Sequence, residues 1–160
     1  MATVATSEVK TGENLKVEIR RVIRASRQRV FAAWTNSEEM RKWMCPGPMS
    51  VVAAETDVQK GGRYRIEMKG SMDGLPENAE NRNSFSGEYM EIVPNELVRF
   101  TWRADWNTEP ASQVTVQLRD VEGGTEMVLT HEHISSADSC TGYTHGWTSC
   151  LDKLEATLTR

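Results

Sequence analysis

Residues 136–160 read SADSCTGYTHGWTSCLDKLEATLTR, and this final stretch decides the fold. Counted at about 100° per residue from Tyr143, the side chains of Tyr143, Trp147, Cys150, Leu151, Leu154 and Leu158 fall within an arc of about 100°. Thr148, Asp152 and Glu155 lie opposite. The pattern predicts one amphipathic helix over 136–159 with a single buried face. A helix of about 22 residues is about 33 Å long, enough to cross an antiparallel sheet. A curved sheet gripping such a helix leaves room for a cavity beside it.

Working back from the helix, apolar residues alternate with a period of two, which predicts strands over 50–58, 63–69, 84–93, 97–105, 113–119 and 125–134. Turn residues at Gly61-Gly62, Pro94-Asn95 and Gly123-Gly124 separate them, and the short connections imply antiparallel neighbours. Ahead of these, Leu15-Lys16-Val17-Glu18-Ile19-Arg20 opens a strand running to Arg24. Ser26 then caps a short helix carrying Val30, Phe31 and Trp34, and Ser37 caps a second with Met40, Trp43 and Met44 before Pro46-Gly47-Pro48 stops it. The order is strand, two helices, six strands, helix, an α+β arrangement. The polar connection 70–83, with Asp73-Gly74 and Pro76, is a candidate flexible flap.

A chain of 160 residues with 38% hydrophobic and 26% charged content suits one soluble domain. With a net charge of −4 and no cluster of Lys or Arg, neither nucleic acid nor an anionic membrane surface is expected as the main partner. No apolar run reaches membrane-spanning length, so no integral membrane contact is expected. Residues 1–14 lack the basic start and apolar centre of a secretory signal and read as a flexible tail ahead of a single domain over 15–160. Cys45, Cys140 and Cys150 form no CxxC pair, and the two in the final helix are separated by about 15 Å along its axis. Reduced thiols and a cytoplasmic location fit that spacing. Oligomeric state is left open, a homodimer included.

An ordered series of short motifs resembles a known family. The series comprises Trp34-Thr35-Asn36, then Trp43 with Pro46-Gly47-Pro48, then Asp57 with Gly61-Gly62-Arg63-Tyr64. It continues through Gly87-Glu88 with Glu91-Ile92-Val93-Pro94, Leu97 with Thr101-Trp102, Thr125 with Leu129-Thr130-His131, and Gly146-Trp147 with Leu151 and Leu154. Across residues 15–158 it is similar to the homologues of the activator of heat-shock protein 90 ATPase, within the START-like, birch-pollen-allergen-like superfamily. The resemblance implies a helix-grip fold: a seven-stranded antiparallel sheet around the C-terminal helix, with two short helices after the first strand closing one end. The eukaryotic co-chaperones of that name resemble this chain in one domain, so their role is not expected to transfer.

Alternation also predicts which side chains face inward: Tyr64, Ile66 and Met68; Glu88, Met90 and Ile92; Phe100 and Trp102; Met127, Leu129 and His131. Glu88 and His131 break the apolar face. They either orient a ligand or exchange a proton, or more plainly they satisfy buried polarity in pairs. The predicted pocket lies under the first half of the final helix, bounded by Tyr143 and Trp147 above, Tyr64, Met68, Met90 and Trp102 from the sheet, and Trp43 near the mouth. Glu88 and His131 are its polar anchors, and Leu151, Leu154 and Leu158 form solid core beyond it. The same aromatics also suit plain core packing, although eight Met residues favour an adaptable apolar site.

His131 and His133 share a strand face in this pattern, and zinc would need a third ligand such as Cys140 or His145; metal is not expected. No GxGxxG, P-loop, GxSxG or HExxH motif occurs, no cofactor is expected, and no catalytic residue is assigned. Three readings stand: a binder of a small apolar or amphipathic molecule, a cyclase or hydrolase using Glu88 and His131 as acid and base, and a chaperone-linked interaction module.

Overall fold

Alternating side chains from residue 15 onward build the sheet, and a computed structural model describing residues 6–9, 15–71 and 81–159 gives the order in which the strands pair. In chain order the elements are β1 (Thr6–Val9), β2 (Leu15–Ile23), α1 (Arg27–Thr35), α2 (Ser37–Met40), β3 (Ser50–Thr56), β4 (Arg63–Lys69), β5 (Arg82–Val93), β6 (Leu97–Ala104), β7 (Ser112–Val121), β8 (Gly124–Ile134) and α3 (Ala137–Leu158). The sheet runs β1-β2-β8-β7-β6-β5-β4-β3, antiparallel throughout. Strands β2 to β8 are the seven of the helix grip, and α3 lies across them. From the segment expected as a tail, β1 adds an edge strand to β2, with Thr6 opposite Arg20 and Val9 opposite Val17. Residues 72–80 of the expected flap lie outside the described residues.

Local chemistry explains the ends of the helices. Ser26 caps α1 by accepting from the Arg29 N–H at 3.3 Å. Asn36, not Ser37, caps α2: its Oδ1 accepts from the N–H groups of Glu38 and Glu39 at 2.9 and 3.3 Å. The second helix is shorter than predicted, because beyond Met40 the chain tightens into three-residue turns, Lys42 N–H to Glu39 O and Trp43 N–H to Met40 O. Trp43 is fully buried in that turn, with its ring 4.7 Å from Trp34 and its Nε1 donating to Ala33 O at 2.9 Å.

Register slips in β5 and β8 change the face that their side chains take. On β5 the inward side chains are Asn83, Phe85 and Tyr89, whereas Met90 is 42% exposed and Glu88 is half-buried on the other face. The register with β6 slips by one residue between Tyr89 and Glu91, so counting back from the inward-leaning Ile92 assigns everything before the slip to the wrong side. Ahead of the slip, Gly87 lies so close to β6 that a Cβ there would collide with the Thr101 carbonyl oxygen. On β8, His133 takes a left-handed backbone (φ 62°), and the pairing with β2 slips between Leu15 and Val17. His131 therefore points into the core while His133 is exposed, and the two do not share a face.

Helix α3 buries Cys140, Trp147, Cys150, Leu151, Leu154 and Leu158, with Tyr143 partly buried beside them. Arg21 on β2, only 3% exposed, is a charged side chain in this inner layer. It reaches α3, pairing with Asp152 at 2.8 Å and donating to Thr148 O at 3.4 Å. Leu154 is fully enclosed, so Leu154→Ala should cost about 2–5 kcal/mol of stability, measurable as a lower denaturation midpoint with unchanged slope in urea.

Candidate functional site

Along α3 the side-chain sizes divide the helix in two. Its second half presents leucines at 151, 154 and 158 and packs solidly, whereas its first half carries Gly142 and Gly146, four residues apart. Beside that first half lies a cleft of about 390 Å³. Its helix wall is Asp138, Ser139, Gly142, Tyr143, Gly146, Trp147 and Cys150; Met68, Phe85 and Trp102 form the sheet wall, with Met44 and Pro46 at one end and Trp106 and Asn107 at the other. A Cβ built on either glycine would meet nothing within 4 Å. Helix-interior glycine costs about 1 kcal/mol relative to alanine, and neither position has a neighbour or a left-handed backbone that requires it. What the two glycines provide is open space against the helix.

The cleft brings together four of the residues predicted from sequence: Met68, Trp102, Tyr143 and Trp147. It does not bring in the others. Trp43 is fully buried beneath Trp34, so it is not at a mouth. Tyr64 lies behind Phe85 at 6.4 Å between ring centres, with its hydroxyl spent on Thr101 O at 2.6 Å. Glu88 and Met90 sit on the outer face for the register reason given above. Phe85, on the strand whose parity is reversed, takes their place, stacked on Trp102 at 4.1 Å. The gap farther in, among Trp34, Met40, Tyr64, Tyr89 and Phe100, amounts to about 10 Å³ and is too small for a ligand.

His131 is sealed below the cleft floor, with no exposed surface. Its Nδ1 accepts from Trp147 Nε1–H at 3.0 Å and its Nε2 lies 2.6 Å from Ser112 Oγ. Since indole is a donor only, Nδ1 must be the bare nitrogen and Nε2 carries the proton that goes to Ser112 Oγ. Ser112 Oγ donates onward to Trp102 O at 3.4 Å. Burial lowers the imidazole pKa from 6.5 to about 3, so the ring is neutral. Both nitrogens are occupied and Glu88 lies across the sheet, so these two side chains do not form an acid and base pair.

Burial also favours the uncharged forms of two groups on the cleft wall, Tyr143 and Cys150. Burial raises the pKa of Tyr143, opposed by Trp102 and Asn107 approaching its hydroxyl. Burial likewise pushes up the Cys150 thiol, with a contribution from Cys45, which makes it a poor nucleophile. At the rim, Ser136 Oγ, Ser139 Oγ and Glu109 form a chain in which Ser139 donates to Glu109 Oε1 at 2.5 Å, tying the β6–β7 loop to the start of α3. Among the described residues no three His, Cys, Asp or Glu side chains gather into a metal-binding group. No described helix is long and apolar enough to cross a membrane.

Sequence reasoning missed Phe85, Trp106, Asn107, Gly142 and Gly146. The glycines did leave a signal, two poor helix formers one turn apart in an otherwise strong amphipathic pattern.

Residues 24–159 match the family model described as Activator of Hsp90 ATPase homolog 1-like protein. Among solved structures, a protein from Chromobacterium violaceum is 27% identical, covering 91% of this chain and 97% of its own, with a TM-score of 0.78. An uncharacterized protein from Rhizobium leguminosarum is also 27% identical, covering 99% of both chains, with a TM-score of 0.73. A Rhodobacter sphaeroides protein shares the fold at a TM-score of 0.81 and 19% identity, covering 98% of this chain and 99% of its own. No curated protein matches the chain.

The buried neutral imidazole makes stability depend on pH. The unfolded chain takes up a proton at His131 below its ordinary pKa of 6.5, while the folded protein does not until about 3. Stability contributed by His131 is therefore complete above pH 6.5 and falls as pH drops toward 3. Between those limits the slope should approach about 1.4 kcal/mol per pH unit. Urea titrations at a series of pH values should show that slope in the parent and lose it in His131→Gln.

Proposed function

This chain belongs to the Activator of Hsp90 ATPase homolog 1-like family, and we propose that it binds a small, mainly apolar molecule in the cleft between the sheet and the first half of α3. One observation carries this reading: two helix-interior glycines cost stability and leave open space beside an aromatic and Met-rich wall. The volume of about 390 Å³ falls in the usual range for small-molecule sites. Met44 and Met68 give the walls adaptable thioethers, and Phe85, Trp102, Trp106 and Trp147 supply broad apolar surface. The large exposed apolar side chains among the described residues, Val58 and Met90, are single residues at 42% exposure each. That distribution favours the cleft over a chaperone-docking face.

Filling the space tests the reading from both sides. Gly146→Ala should raise stability by up to about 1 kcal/mol through helix propensity, read in thermal or urea unfolding. Gly146→Leu should keep the fold, judged by circular dichroism, and lose any small molecule that native mass spectrometry finds retained on the freshly purified parent. Retention of the same mass by Gly146→Leu would place the ligand elsewhere and sink the proposal.

A further inference from the structure

Apart from Asp138 and Ser139 at the start of α3, the hydrogen-bonding groups on the cleft lining are those around the Tyr143 hydroxyl. Asn107 Oδ1 accepts from the Glu109 N–H at 3.1 Å, which leaves the amide nitrogen of Asn107 as the end that approaches the Tyr143 hydroxyl. Trp102 also approaches that hydroxyl, yet its Nε1 is buried and makes no hydrogen bond of good geometry. Indole N–H and amide NH₂ are both donors. A phenol oxygen facing two donors turns its own proton away from them, and all three residues line the cleft. The Tyr143 proton, directed away from these two donors, is then the one an occupant with an acceptor oxygen can meet.

Resting on the reading of the cleft as a ligand site, we infer that its ligand carries a carbonyl-type oxygen that accepts from the Tyr143 hydroxyl, whose proton the Trp102 indole N–H and the Asn107 amide direct toward it. The remainder of the ligand lies along Gly142 and Gly146 against Phe85 and Trp147. A group that can only donate, such as a protonated amine, is not served by the Tyr143 proton; the acceptor on the cleft lining is the Asp138 carboxylate. Tyr143 and Trp102 thus act as selectivity residues: they choose among molecules of similar shape by the presence of one oxygen.

Two flat probes of nearly the same shape isolate the effect, 9-fluorenone with a ring carbonyl and fluorene with a methylene in its place. Fluorene is the more apolar, so hydrophobic burial alone ranks it first. Equilibrium dialysis against the parent protein should instead show fluorenone bound about tenfold more tightly, the size of one hydrogen bond. Tyr143→Phe keeps the ring and should remove that preference while still binding fluorene; Trp102→Phe should reduce it. Gly146→Leu should lose both probes. Equal binding of the two probes by the parent, or an unchanged preference in Tyr143→Phe, overturns the Tyr143 donor while leaving the cleft reading intact. Failure of both probes to bind, or their undiminished binding to Gly146→Leu, overturns the cleft reading and this inference with it.

Discussion

The hydrogen bond from Trp147 Nε1 to His131 Nδ1, at 3.0 Å, joins the middle of α3 to the inner face of β8. A buried indole N–H and a buried imidazole are each costly without a partner. Each is satisfied only while the helix keeps its height and rotation over the sheet. Ser112 extends the link to β7 and, through Trp102 O, to β6. Three neighbouring strands and the helix are therefore tied through one ring. Arg21 and Asp152 provide a second link one turn farther along, from β2 to the same helix.

That anchoring point divides the helix into two environments. Toward the C-terminus, leucines fill the space between α3 and the sheet, and closeness of packing supplies stability. Toward the N-terminus, Gly142 and Gly146 put no side chain into the space beside the helix, and the rings of Phe85, Trp102 and Trp147 do not fill the gap. Trp147 belongs to both regions, since its indole nitrogen serves the anchor while its ring walls the cleft. The occupant of the cleft would touch side chains whose positions the core already holds, so little ordering has to accompany binding.

The family relatives with solved structures share the fold at low identity, which is expected when pattern rather than particular side chains sets the architecture. Within that architecture Met68, Phe85, Trp102 and Trp147 belong to the core as well as to the cleft, whereas Asn107 and Gly142 lie outside the buried core cluster. A site built from residues such as Asn107, in the loop after β6, and Gly142 is where members of one family would differ in what they hold.

By itself the sequence determined the succession of strands and helices from residue 15 onward, but not the edge strand β1. Periods of 2 and 3.6, with turns at Gly61-Gly62, Pro94-Asn95 and Gly123-Gly124, are local properties that survive without knowledge of contacts. The buried stripe of α3 was legible for the same reason, as were Met68, Trp102, Tyr143 and Trp147 at the cleft. Tertiary structure decided the rest. A slip of one residue in β5 sends Glu88 and Met90 outward and Phe85 inward, and bulges are set by pairing with a neighbouring strand that sequence alternation does not reveal. The turn after α2 buries Trp43 against Ala33 and Trp34 of the preceding helix, and the loop after β6 brings Asn107 to Tyr143, a contact between segments distant in the chain. His131 was legible as an inward polar residue, but its role as a sealed structural link depends on two partners, Trp147 and Ser112, 16 and 19 residues away.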